Sequence, residues 1–295
     1  MEKMESSCFD FGFDEAKVIK NVGCELFKQG KAGEKSRITV ISFRRLHDNV
    51  LLIKTREKGS ALTDPEKAEY ITKIDTKIAE RLGKKVSDLT EVDRLDLKQP
   101  KFSFAYTHFK DGIGTIRCKG KYENIPGQGP TLVKPAICDE HMGDAEQTVG
   151  CVILQYPIDS EGQVDLELFK VKKYTHIFIW KMGSKKFKKL ESVYVDARKD
   201  RRETIDLRIE LDGDPKFQKQ NINYASDATF ALDIIDPALR QWVLEQGLRN
   251  YKYVEGHLGY AMPMDKLLEK LGKTPASGDT DARPQLQAGY RALID

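Results

Sequence analysis

Two cysteines and two histidines, His108, Cys118, Cys138 and His141, fall in order within 34 residues. Cys138 and His141 form a C-x2-H pair beyond a Gly/Pro-rich stretch, and His108 and Cys118 flank a Lys-Asp-Gly-Ile turn. Tetrahedral zinc takes cysteine sulfur and histidine nitrogen, so a close pair plus a hairpin-borne pair can make a closed structural site. The 19 residues between Cys118 and Cys138 exceed the spacing of compact zinc fingers. The competing reading has Cys138 simply buried. Cys151 lies mid-strand and reads as a core thiol.

A second set interleaves cations with flat rings. Tyr106, Phe109, Lys110, Arg117, Lys119, Lys121 and Tyr122 are followed by Tyr156. After these comes the stretch Phe169 to Lys189, with Lys172, Lys173, Tyr174, Phe178, Trp180, Lys181, Lys185, Lys186 and Phe187. Single-stranded nucleic acid is held by this mixture, because phosphates need cations and unstacked bases need π-faces. From Leu168 to Arg202 twelve Lys/Arg face three acids, a net of +9, which leaves −6 for the rest of a chain of formal charge +3. A basic segment on an acidic body is a candidate polyanion site. Each ring taken singly is equally well explained as core, and each lysine as solvated surface.

Catalytic signatures are weaker. Gly30-Lys-Ala-Gly33-Glu-Lys35-Ser36 approaches a phosphate loop, but Glu34 intrudes where the motif needs glycine directly before the lysine. The sequence contains no GxGxxG, HExxH or GxSxG. Its 46 acids show no spacing that distinguishes a catalytic dyad from solvated faces.

The elements that must position these residues follow from periodicity. Arg37–Phe43 alternates and Val50–Ile53 continues as an apolar run, which reads as a hairpin through His47-Asp48-Asn49. Asp64 as N-cap with Pro65 at the first helical position starts a helix with Ala68, Ile71, Ile74, Ile78 and Leu82 at helical spacing up to Gly83, and a second short helix follows Ser87. Strands are expected at 102–109 and 114–118, joined by hairpin chemistry. Further strands are expected at 150–156, 164–171, 205–211, 216–223 and 228–232. The segment 172–194 suits either a buried strand or a helix face. Beyond Asp236-Pro237 the pattern turns helical, with a second short helix at 263–271 and a polar tail over 273–295.

At 295 residues, 40% hydrophobic and 32% charged with mean hydropathy −0.52, the composition is that of a soluble protein with a well-hydrated surface. No apolar run approaches the ~20 residues that span a bilayer. The N-terminus MEKMESSCFDFGFDEAK lacks the basic start and apolar core of a signal peptide. Five irregularly spaced cysteines fit a reducing compartment, so the cytoplasm is the expected location.

The middle of the chain resembles the single-stranded DNA-binding proteins of T-even-like tailed bacteriophages. THFKDGIGTIRC (107–118) looks like that family's His-containing hairpin leading to its first zinc cysteine, and CDEH (138–141) is similar to its closing pair. GCVILQYPIDSEGQV (150–164), the lysine-rich aromatic stretch, IDLRIEL (205–211) and FQKQNINYASDATF (217–230) continue in the family's order over about residues 36–235.

The resemblance implies a mixed α/β, β-dominated chain built on an OB-fold barrel with an embedded zinc subdomain. It also implies a structural zinc on His108, Cys118, Cys138 and His141, with His141 standing where the family has cysteine. Non-catalytic, sequence-tolerant binding of single-stranded DNA would protect replication or recombination intermediates. Tyr224, with Lys219 nearby, then joins Tyr106, Tyr122, Tyr156, Tyr174 and Trp180 and the cations named above as the expected DNA contacts.

The expected organisation is an arm (1–34), a core (35–235) with a helical insertion (64–98) and a zinc-type subdomain (102–148), a helical appendage (236–272) and a flexible tail (273–295). Partners would be single-stranded DNA and replication or recombination proteins, with no membrane and no small-molecule substrate. Departures from the family are the long 119–137 loop, the 64–98 helices, and the lack of a basic N-terminal arm and an acidic tail. The alternatives are a metal-dependent nuclease on the same basic groove and a zinc-containing protein-interaction module.

Overall fold

The computed structural model describes residues 24–28, 33–110, 112–118, 121–125, 129–134, 138, 142–170, 176–200, 202, 204–212, 219–224, 236–259 and 262–272. The expected strand at 228–232 and the tail at 273–295 lie outside them.

The sheet is organised around one long apolar strand. In chain order, β1 (Lys35–Val40) and β2 (Phe43–Arg45) precede two helices, α1 (Leu46–Lys58) and α2 (Asp64–Leu82). Then come β3 (Leu95–Pro100), β4 (Ser103–Lys110), β5 (Gly114–Arg117), β6 (Lys121–Ile125), β7 (Gly129–Lys134) and β8 (Glu146–Gln155). The run GCVIL makes β8 apolar on both faces, as a strand covered on both sides must be. A short helix α3 (Leu166–Lys170), β9 (His176–Gly183), α4 (Ser184–Lys199), β10 (Leu207–Asp212) and β11 (Lys219–Tyr224) follow. The helices α5 (Pro237–Tyr251), α6 (Val254–His257) and α7 (Met264–Lys270) come last.

One edge of β8 pairs with β9 along its length, from Thr148↔Gly183 to Gln155↔His176. The other edge is shared: its first half pairs with β4 (Ser103↔Gly150 to Thr107↔Glu146) and its last residues with β1 (Ile38↔Gln155 to Val40↔Ile153). At the fork Ile41 N–H donates to the Val152 carbonyl at 3.0 Å, and Ser42 Oγ accepts from Val152 N–H at 3.1 Å and donates to the Lys101 carbonyl at 2.9 Å. Ser42 thereby satisfies backbone groups that the splitting of the sheet would otherwise bury unpaired.

β1 continues through β10 to β11, and β4 pairs with β5, all antiparallel. Among the described strands β11 and β5 end the path, so this is an open forked sheet. The closed barrel implied by the resemblance is not seen in these pairings.

Both faces are covered. Val149, Cys151 and Ile153 of β8, with Ile38, Val40, Trp180, Met182, Leu207 and Ile209, pack against Phe187, Leu190, Val193 and Ala197 of α4. Val152 and Leu154 face the other way, with Ile179, Phe169, Val243, Val254 and Leu258. Close approach of α5 needs Gly247, where an added Cβ would sit 2.1 Å from the Ile41 carbonyl oxygen. Segment 24–28 lines the outer edge of β9 through a parallel bridge of Leu26 with Ile179.

Two expected strands are helices. Val50–Ile53 lies inside α1, because Leu46 to Lys58 runs unbroken to a left-handed C-cap at Gly59 (φ 72°), with Asp48 rather than a turn in its first turn. Val164–Val171 fails as a strand because Asp165 starts a helical turn: its Oδ1 accepts from Leu168 N–H at 3.0 Å and its carbonyl from Phe169 N–H at 2.9 Å. The expected helix after Ser87 is only a 3-10 turn, Val86–Asp88. The ambiguous 172–194 resolves, from His176, into β9 followed by α4. No helix among the described residues is long and apolar enough to cross a membrane.

Candidate metal centre and lysine-bearing helix

The β4–β5 hairpin brings the chemistry together. Gly112 (φ 78°) and Gly114 (φ 86°) supply the left-handed backbone of its turn, and Ile113 N–H donates to the Lys110 carbonyl at 3.0 Å. The register then sets His108 opposite Ile116, and Cys118 N–H donates to the Tyr106 carbonyl at 2.8 Å. Side chains alternate across a strand, so His108, Ile116, Tyr106 and Cys118 share the inner face.

Cys138 arrives from a separate segment, and its Sγ lies 3.5 Å from that of Cys118. The donor atoms of His108, Cys118 and Cys138 all lie within 4.8 Å of one another. All three residues are buried, at 1%, 3% and 0% exposure.

This geometry fits a metal ion. The sulfur–sulfur separation is far beyond a disulfide's ~2.05 Å and near the ~3.8 Å edge of a tetrahedron with ~2.3 Å metal–sulfur bonds. Ile116, Met262 and Leu267 wall the cluster in, with Tyr106, Ile113, Met142 and Leu271 around them, so α7 forms part of its cover. His108, Cys118 and Cys138 can therefore hold a metal ion; His141, the expected fourth ligand, lies outside the described residues.

The other described cysteines differ. Burial, with a smaller contribution from Glu25, pushes the Cys24 thiol up to about 11, and burial alone pushes Cys151 up further. Both stay protonated, as core thiols do.

Of the residues expected to meet DNA, two are in the core. Trp180 is 2% exposed beneath α4. Tyr156 is equally buried, stacked edge-on against Phe169, with its hydroxyl donating to Asp206 Oδ1 at 3.1 Å; Arg37 Nη2 donates to the other oxygen of that carboxylate at 3.2 Å. A tyrosine at a strand end looks like surface until a neighbouring strand brings it a carboxylate, and these two assignments to a stacking surface are corrected accordingly.

Tyr106 is half-buried at the rim of the metal cluster. Arg117 is turned inward, with Nη2 2.8 Å from both Glu255 Oε2 and the Glu255 carbonyl oxygen. Lys110 is exposed at the end of β4. Lys121 and Tyr122 lie in β6, and Lys219 and Tyr224 in β11. Lys119, Lys172, Lys173 and Tyr174 fall outside the described residues.

The clearest cationic surface is α4. Its sequence SKKFKKLESVYVDARK carries six cations against two acids, with no acid in the first turn. Phe187, Leu190, Val193 and Ala197 turn inward at helical spacing, which leaves Lys185, Lys188 and Lys189 exposed. Lys189 Nζ lies 3.5 Å from Asn221 Oδ1 of β11. Lys181 and Lys186 are half-buried, and burial pulls both ammonium groups below the ordinary lysine value.

Lysines at the positive end of a helix dipole oppose it, an arrangement that an anion relieves. Lys188 and Lys189 were not singled out from sequence. The signal that could have found them is the 3-and-4 spacing of Phe187, Leu190, Tyr194 and Ala197.

Comparison of the chain with family models, with curated proteins and with solved structures finds no match. The chemistry of the site therefore carries the functional reading.

Proposed function

We propose that this protein binds single-stranded DNA without sequence preference, as a binder rather than a catalyst, and that a structural zinc braces its β4–β5 hairpin. The observation that carries the reading is the convergence of His108, Cys118 and Cys138. These residues come from the two motifs, 107–118 and 138–141, on which the resemblance to phage single-stranded DNA-binding proteins begins. A buried donor set of two thiols and an imidazole is zinc chemistry, and with His141 as the fourth ligand it would leave no open position for a substrate. Zinc there would fix the hairpin and its cover, in keeping with a structural role.

The basic side of the reading rests on α4, whose exposed Lys185, Lys188 and Lys189 supply positive charge beside β11. An OB-type groove would run along that side of the sheet. Replication or recombination proteins would be its further partners.

The test is anisotropy of labelled oligo(dT) titrated across salt. Counterion release predicts that log affinity falls with log salt, with a slope of about −0.7 per phosphate contacted. K185Q/K188Q/K189Q should bind more weakly with a shallower slope. Salt-independent affinity, or a triple variant that binds as the parent does, would remove α4 from the interface.

A further inference from the structure

The tip of the β4–β5 hairpin carries a ring that neither the metal centre nor α4 uses. Phe109 is 69% exposed, the highest value for a large hydrophobic side chain among the described residues. Strand alternation explains its direction: His108 and Ile116 face the metal cluster, so Phe109 and its partner Thr115 face the opposite way.

That opposite face is covered lower down. Arg117 is tied to Glu255, and Gly259 (φ 144°) lies so close to Thr107 that an added Cβ would sit 2.9 Å from Thr107 Cγ2. The cover ends at the Thr107–Arg117 pair, and Phe109 is the next residue outward on this face.

Three features of a stacking platform coincide here. The ring is open to solvent, it lies on the face whose cover has ended, and its strand is anchored by a neighbour buried at 1% exposure in the cluster. An anchored ring loses little conformational freedom when a base lies against it, which raises the share of stacking energy that appears as affinity. A phenyl ring has no hydrogen-bonding edge, so it accepts every base alike.

Resting on the single-strand reading above, we propose that Phe109 is a base-contacting residue: an unpaired nucleobase stacks on its ring. The metal centre then acts on binding indirectly, by holding the strand that presents the ring.

The experiment measures oligo(dT) affinity at low salt for the parent, F109A, F109L and F109W. Stacking predicts that F109A and F109L bind roughly 5- to 150-fold more weakly than the parent with an unchanged thermal midpoint. F109W should bind like the parent, and its emission in excess of the parent's should be quenched at saturation; the native Trp180 and Trp242 contribute to both signals alike.

Equal affinity of the parent and F109A, or unquenched excess emission from saturated F109W, overturns the assignment while leaving the single-strand reading standing. A parent that fails to bind oligo(dT) at all overturns both. Should F109A lose its folded signal, F109L decides by the same measurement.

Discussion

The β4–β5 hairpin and the module formed by β2, α1, α2 and β3 are both excursions from one sheet, and they are held by opposite means. The hairpin closes over three buried donor atoms drawn from positions 108, 118 and 138, with a small apolar wall around them. The module's own apolar cluster is Ile78, Ala79 and Leu89 with Leu46 and Ile74 around it, its two strands reach the main core through Phe43 and Leu95, and α1 buries no residue at all.

Beyond these contacts, charge holds the helices of the module to its strands and turns. Asp75 accepts from Arg94 Nε and Nη2, each at 3.1 Å, and lies 2.8 Å from His47 Nε2. Lys84 pairs with Asp93 at 2.9 Å, Arg45 with Glu91 and Lys58 with Glu66, both at 2.6 Å. Exposed pairs of this kind contribute little singly, whereas Asp75, 8% exposed, is the one the module cannot easily replace. The hairpin should thus answer to metal and the module to pH.

The largest expected effect is on the hairpin. Chelation in reducing buffer should lower the thermal midpoint and open the 103–118 and 262–272 segments to protease, with the 46–94 segment unaffected. A ligand present at 1,000 times its Kd contributes about 4 kcal/mol, so the loss should be of that order, and C138S should reproduce it. If the chelated and metal-loaded proteins melt together, packing alone holds the hairpin and the contrast disappears.

Next comes Asp75→Asn, which leaves Arg94 and His47 facing a neutral amide and should cost about 2 kcal/mol in urea denaturation at neutral pH. Burial raises the Asp75 carboxyl, but the hydrogen bonds and charges of Arg94 and His47 outweigh it and hold the group below the usual aspartate value. Its contribution is therefore full above about pH 4 and is lost as pH falls through the lower folded value. Asp75→Asn should remove that part of the acid dependence. A variant that loses stability with acid just as the parent does would place the sensitivity elsewhere.

The smallest effect is at the start of α2. Thr63 N–H donates to Glu66 Oε2 at 2.7 Å and Thr63 Oγ1 to the same oxygen at 2.9 Å, a capping box ahead of Pro65. Thr63→Ala should cost about 1 kcal/mol, readable as a shift in urea midpoint, and should leave metal content unchanged. A change in bound metal would show that module and hairpin are coupled after all.

Much of this was legible in the residues. Alternation located β10, turn chemistry β4 and β5, and an apolar run β8; Gly83 stops α2 where expected, whereas its N-cap is Thr63, one residue before the expected Asp64. The order His108, Cys118, Cys138 named three side chains that do converge. The errors have local causes: VLLI has no period of its own, and VDLELFKV alternates on paper while Asp165 caps a helical turn. Tyr156 and Trp180 were misjudged because aromatic type says nothing about which face a strand will bury.

By itself, the sequence determined what depends on neighbours a few residues apart: strand alternation, helix spacing, the helix stop at Gly83, the glycine turn at 112–114, and a donor set suited to a soft metal. Tertiary structure alone decided what depends on contacts across the chain. These are the division of one β8 edge between β4 and β1, the carboxylate of Asp206 that draws Tyr156 inward, the tie of Arg117 to Glu255, and the end of that cover just short of Phe109. The physical reason is range: backbone preference and periodicity act within a few residues, whereas burial is set by whichever distant segment arrives to cover a face.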